Sequence, residues 1–157
     1  MTDSDPPIMT MEFLSRPSYL GAIRVAVCTI LDRSGMEASL ANRISLAIDE
    51  ALCNVINHGY EKDENGRISL SIWHDQADAV FRFQIEDDGR QVDPESIQPR
   101  DLDDIRPGGL GVHIIREVMD DTKYEQRSSG GMRLSMSIAA LPEPQNEGDA
   151  PVRSTKQ

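Results

Sequence analysis

The sequence predicts an α+β fold of two layers, a mostly antiparallel sheet with helices on one face. Three observations predict it. Amphipathic helical patterns come early, over 17–34 and 37–58. Two alternating segments, 67–74 and 79–86, are joined by the short turn Asp75-Gln-Ala-Asp78, and so tight a link requires antiparallel neighbours. A short helical pattern over 110–120 then leads into further strands near 122–127 and 131–139.

Taken in order, Ile8–Phe13 reads as a first strand. Arg16-Pro17-Ser18 opens the first helix, whose apolar positions Leu20, Ile23, Val27, Ile30 and Leu31 run to Ser34-Gly35. In the second helix Ile44, Ile48, Ala51, Leu52 and Val55 form the apolar stripe. Gly59 is expected to close that helix in the left-handed conformation. Ile68, Leu70 and Ile72 alternate with Ser69, Ser71 and Trp73, and Phe81, Phe83 and Ile85 with Val80, Arg82, Gln84 and Glu86, as half-buried strands do. Residues 90–107 carry Pro94, Pro99 and Pro107 among many charges and keep no apolar period. A long irregular loop inside a domain is more often functional or mobile than accidental. Ser128-Ser-Gly-Gly131 separates the last two strands. One domain is expected over 8–140, with 1–7 and the Pro-, Glu- and Gly-rich segment 141–157 disordered.

The chain has 157 residues, enough for one domain with a real core. Its formal net charge of −11 argues against direct nucleic-acid binding, which needs a basic footprint. No run reaches the length of a membrane-spanning helix and the acidic N-terminus does not resemble a signal peptide, so no membrane is expected and the cytoplasm is the expected address. Cys28 and Cys53 lie in apolar helical patterns without metal-ligand spacing and are read as reduced core residues.

Three segments carry candidate chemistry. Glu50, Asn54, Asn57 and His58 form a polar stripe on the second helix, since residues four apart share a face. Such a stripe is either a solvated helix face or a metal and phosphate site, in which an Asn amide oxygen suits Mg²⁺ and a Glu one turn away can take a proton. Asp87-Asp88-Gly89 ends a strand and taken alone is an ordinary turn. Gly108, Gly109 and Gly111 lead into the helical pattern of Leu110, Ile114, Ile115, Val118 and Met119. A glycine-rich helix start leaves backbone N–H groups free to approach an anion. It carries no Gly-Lys-Ser/Thr and does not follow Rossmann order.

In this order the three segments resemble the nucleotide-binding boxes of the GHKL ATPase superfamily, and within it the small anti-sigma factor serine/threonine-protein kinases of the RsbW and SpoIIAB type. Glu50-x-x-x-Asn54-x-x-x-His58-Gly-Tyr60 is similar to their N-box. Asp87-x-Gly89 with Val92-Asp93-Pro94 is similar to the first glycine box, and Gly109-Leu-Gly111-Val with Asp120 and Tyr124-Glu125 to the second. The resemblance covers about residues 10–140 and implies the Bergerat fold, with residues 90–107 as an ATP lid.

It also implies roles. Asn54 would hold Mg²⁺, Glu50 would be the general base, and Asp87 would accept the adenine amino group. Gly89 would let the backbone approach the base, and Gly109, Leu110 and Gly111 would face the phosphates. His58 is read as structural, and the lid residues Arg100 and Arg106 either neutralise phosphate or are solvated charges. Two departures stand out: Gln91 replaces a second glycine of the first box, and Gly131-Met-Arg-Leu-Ser135 lacks the Thr that relatives place near adenine, leaving Ser135 as a candidate substitute. The cofactors implied are ATP and Mg²⁺. The partners implied are a STAS-domain anti-anti-sigma factor, a sigma factor and a second copy of the chain in a homodimer. The alternative is a non-catalytic ATP-binding module that sequesters a different protein target. A histidine kinase catalytic domain is disfavoured because no His precedes Glu50 to accept the phosphoryl group.

Overall fold

The computed structural model describes residues 5–97 and 110–139. Five strands form one antiparallel sheet: β1 (Met9–Leu14), β2 (Arg67–Asp75), β3 (Val80–Asp87), β4 (Asp121–Gln126) and β5 (Met132–Ala139). Their spatial order is β1-β2-β3-β5-β4. The β2–β3 hairpin pairs Asp75 with Val80 and Ile68 with Asp87, so the turn expected at 75–78 sets the register. Because β5 enters between β3 and β4 and runs antiparallel to both, the chain between β3 and β4 must cross over a strand position. That crossover carries the loop after Gly89 and the third helix, α3 (Leu110–Val118).

Pro17 opens α1 (Pro17–Arg33), where its missing N–H costs nothing. Gly35, at φ +81°, ends it in the left-handed region, and Met36 N–H closes back on Leu31 C=O at 3.1 Å. Glu37 caps α2 (Ala38–Asn54), its carboxylate accepting from Ser39 N–H at 2.7 Å and Leu40 N–H at 2.8 Å. Those donors hold the Glu37 carboxyl below its ordinary range, the contact with Ser39 foremost.

The pleat divides the sheet. Ile68, Leu70, Ile72, Phe81, Phe83, Ile85, Leu134, Met136 and Ile138 are buried on one side, in a common core with Val27 and Leu31 of α1, Ile44, Ile48 and Leu52 of α2, and Ile115 of α3. Burying each such side chain contributes about 1.5–3 kcal/mol. The opposite side is polar: Thr10 meets Ser71 at 3.0 Å, Arg133 pairs with Glu86 at 2.6 Å, and Arg82 lies over the Trp73 ring at 5.5 Å. Trp73 Nε1 donates to Asp5 C=O at 2.9 Å, which ties the segment before β1 to the sheet. The lid expected over 90–107 is described as far as Ile97, with a single 3₁₀ turn at Pro94–Ser96 capped by Asp93. The remaining lid residues and the tail 141–157 lie outside the described residues. Among the described residues no helix is long and apolar enough to cross a membrane.

The second helix departs from expectation at its end. Its α-helical bonding stops at Asn54, and Val55–Gly59 forms a π-helical turn in which Tyr60 N–H reaches Val55 C=O at 2.9 Å. Gly59 does not take the left-handed conformation. Glu61 (φ 50°) and Lys62 (φ 70°) do so instead, because the wider turn postpones the reversal of the chain. Cys28 and Cys53 are free and half-buried rather than fully in the core.

Candidate functional site

The site is built where α2, the β3 turn, α3 and the β4–β5 hairpin converge. Glu50 and Asn54, both half-buried, face the start of α3. A Cβ at Gly111 would stand 2.7 Å from Glu50 Oε2 and 3.4 Å from Asn54 Nδ2. The tertiary structure thus brings Glu50, Asn54 and Gly111 together, with bare main chain against the carboxylate and the amide. Leu110 is the first residue of α3. Gly109, Arg100 and Arg106 lie outside the described residues.

Behind Glu50 is a residue that the stripe reading missed. Asp49 is 9% exposed and pairs with the Arg24 guanidinium of α1. A buried carboxylate needs such a partner. The available signal was an Asp flanked by the apolar positions Ile48 and Leu52. Burial, followed by the charges of Asp49 and Glu50, pushes the neighbouring Cys53 thiol up from its ordinary range. Asn57 and His58 are exposed, so the π-helical turn separates them from Glu50 and Asn54.

The same turn delivers the Gly59 carbonyl to the first glycine box, where Arg90 N–H donates to it at 2.8 Å. A Cβ at Gly89 would stand 2.5 Å from that oxygen, so the close backbone approach at Gly89 is to Gly59. Tyr60 makes a second tie: its hydroxyl accepts from Asp88 N–H at 2.8 Å and donates to Arg67 C=O. Its ring occupies the space that a side chain at Gly66 would need. The end of α2 and the Asp87 turn are therefore one mechanical unit.

Asp87 is 4% exposed. Its Oδ1 accepts from Gly89 N–H at 2.8 Å and Met132 N–H at 3.4 Å. Burial pushes its carboxyl above the ordinary range, opposed in part by those two donors and by the Arg127 charge. Gly131 passes under it at φ +73°, where a Cβ would fall 1.9 Å from Asp87 O. Ser135 does not substitute for the missing Thr. It pairs with Gln84 and Lys123 in register, on the polar side of the sheet away from the Asp87 carboxyl. The residue beside Asp87 at the head of β5 is Met132.

The arrangement offers a carboxylate and an amide beside a helix start at one end, and a buried carboxylate that can accept a hydrogen bond at the other. A buried Asp whose carboxyl is displaced upward by desolvation, beside a specific charge partner, is a candidate functional position.

Comparison with known proteins places the fold. The serine-protein kinase RsbW of Oceanobacillus iheyensis is 27% identical over 139 residues, which cover 82% of this chain and 85% of that protein. The serine-protein kinase RsbW of Bacillus subtilis is 25% identical, covering 81% and 82%. Among solved structures, a chain of the SiaB–SiaC complex from Pseudomonas aeruginosa superposes with a TM-score of 0.66 at 14% identity, over 84% of this chain and 89% of that one, which shows a common fold. Residues 13–138 match the histidine kinase-like ATPase domain family. A match over that much of the sequence places this protein in the histidine kinase-like ATPase domain family.

Proposed function

We propose that this protein is an ATP- and Mg²⁺-dependent serine/threonine-protein kinase of the anti-sigma type. It phosphorylates a STAS-domain antagonist in the cytoplasm and sequesters a sigma factor, acting as a homodimer built on the domain of residues 8–140. The observation that carries the reading is Glu50 held beside Asn54 against the bare backbone of Gly111. Support comes also from the serine-protein kinase relatives, which cover most of the chain.

The residues present fit the cofactors. Gly111 leaves main chain where any side chain would press on Glu50. The Asn54 amide oxygen is a hard neutral donor of the kind Mg²⁺ takes when phosphates and water supply its other ligands. Bound ATP with Mg²⁺ supplies the phosphoryl group and the charge neutralisation that its transfer needs. Asn54 holds the metal. Glu50 accepts the proton of the attacking Ser or Thr hydroxyl, which raises the nucleophilicity of that oxygen. Asp87 accepts the adenine amino group, and Gly109, Leu110 and Gly111 face the phosphates. Which partner the protein holds sets its state, so the difference between partner affinities is the switch.

The test mixes the protein, Mg²⁺ and γ-labelled ATP with a purified STAS-domain protein, beside Glu50→Ala. Label on a Ser or Thr of the partner, lost in Glu50→Ala while ATP and partner binding persist, supports the kinase and its base. Tight binding of both without transfer in the unaltered protein would leave a sequestering module and overturn the reading.

A further inference from the structure

We infer that Arg127, seated by Gln91, is a positioning residue of the adenine subsite and sets the preference of this protein for adenine over guanine nucleotides. The inference rests on the assignment of Asp87 to the adenine amino group and goes beyond it, because it names what holds Asp87 in place.

Arg127 begins the turn between β4 and β5, and its side chain is 21% exposed. Its Nη1 donates to the Asp87 main-chain carbonyl and, at 2.8 Å, to Asp88 Oδ1, while its Nε lies 3.8 Å from Glu86. One guanidinium thus engages three consecutive residues, Glu86 of β3 and then Asp87 and Asp88 at the first glycine box, its Nη1 serving the last two while its Nε faces the first. Gln91 answers from the other side: its amide donates to Arg127 C=O at 2.6 Å and Gly131 C=O at 3.2 Å. Gln126 adds a third tie, donating to Val92 C=O at 3.1 Å. The Asp87 turn is therefore enclosed by the hairpin from Gln126 to Met132, with Gly131 beneath its carbonyl and Met132 N–H on its carboxylate.

Asp87 discriminates between bases only if its carboxylate is aimed. Adenine offers an amino donor at the position where guanine offers a carbonyl acceptor. A fixed carboxylate accepts from the first and repels the second, and a site built around one hydrogen bond rejects a ligand that lacks it. A carboxylate free to turn loses that distinction. Arg127 does not touch the base in this scheme. It fixes the main chain from which the Asp87 side chain projects, and the charge it brings favours the ionised, accepting form.

The test is calorimetric titration of the protein with Mg·ATP, ADP and Mg·GTP, with melting temperature followed in parallel. The proteins compared are the unaltered chain, Arg127→Met, Arg127→Lys, Gln91→Leu and Asp87→Asn. Arg127→Met is expected to weaken ATP and ADP about tenfold, the loss of a hydrogen bond to a charged group. GTP binding changes little, so the adenine preference falls. Arg127→Lys recovers part of it through its shorter, more compact ammonium, and Gln91→Leu shifts the preference the same way by a smaller factor. Should Arg127→Met fail to fold, Gln91→Leu carries the test. Asp87→Asn separates the two failures. If Asp87→Asn abolishes the preference and Arg127→Met keeps both affinity and preference, the inference is overturned and the Asp87 assignment stands. If Arg127→Met lowers the melting temperature and weakens ATP and GTP equally, its role is structural and the inference is likewise overturned. If Asp87→Asn keeps the preference, the assignment of Asp87 fails and the inference fails with it.

Discussion

Gly89 is packed against the carbonyl of Gly59, with only 2.5 Å between that oxygen and the place a Cβ would take. Both partners are main chain and both are tied, Gly59 through its bond from Arg90 N–H and the Asp87 turn through Tyr60. Neither can yield as a flexible side chain would. Gly89→Ala is therefore expected to destabilise the protein by roughly 1–3 kcal/mol, the range for overpacking a tight site. Gly59→Ala should cost less, since a Cβ there meets Asp87 Oδ1 and Val55 Cγ1 at an ordinary 3.7 Å. Urea unfolding of the two variants checks the ordering, and equal midpoints would refute it.

Gly111→Ala makes the opposite kind of change. The new methyl would press on Glu50 Oε2, the free end of a side chain that can swing away. Stability should hold while the general base is displaced. A misplacement of this size costs roughly 10²-fold in rate. Phosphoryl transfer should fall by about that factor with the melting temperature nearly unchanged; a large loss of stability with transfer retained would contradict the placement of Glu50.

The raised Asp87 carboxyl gives a pH dependence of defined sign. The fold raises its pKa, so the native state holds this proton more firmly than the unfolded chain does. Between the unfolded and the raised folded value, stability falls as pH rises, and above that window the cost of a buried charge is fully present. Adenine recognition runs the other way, because the accepting form is the ionised one. ATP affinity should therefore decline on acidification at a higher pH than an ordinary Asp would give. Asp87→Asn should remove that decline and unfold no more easily at neutral pH. Titration of ATP binding between about pH 4 and 7 reads it, since ordinary Asp values lie near the bottom of that range.

Arg24 and Asp49 form a pair of unequal exposure, 52% and 11% by side chain. Arg24→Met leaves a nearly buried carboxylate without its cation. A fully buried pair broken this way costs about 3–5 kcal/mol, and half-exposure of the arginine reduces that to roughly 1–2 kcal/mol. Asp49→Asn should cost less, and the double variant less than the sum of the two. Additive losses in denaturant unfolding would show that the pair is not coupled.

Periodicity was enough for most of the fold. Alternation in 67–74 and 79–86 identifies β2 and β3, the short turn fixes their antiparallel register, and Pro17 and Gly35 bracket α1, because each of these signals is local to the chain. The end of α2 was not legible. His58-Gly59 looks like an ordinary helix stop, and only contact with the first glycine box makes the wider turn worthwhile.

By itself the sequence determined the two-layer class, the order of the elements and the residues from which a site can be made: Glu50, Asn54, Asp87, Gly89 and Gly111. The tertiary structure decided which of them meet. It placed Gly111 on Glu50, turned Ser135 to the polar side of the sheet, paired Asp49 with Arg24, and enclosed Asp87 with Gln91 and Arg127. The physical reason is range. Periodicity and capping act over a few residues and are written in neighbouring positions, whereas desolvation and hydrogen bonding of a buried carboxylate depend on groups dozens of residues away, brought near only when the sheet and its helices close on one core.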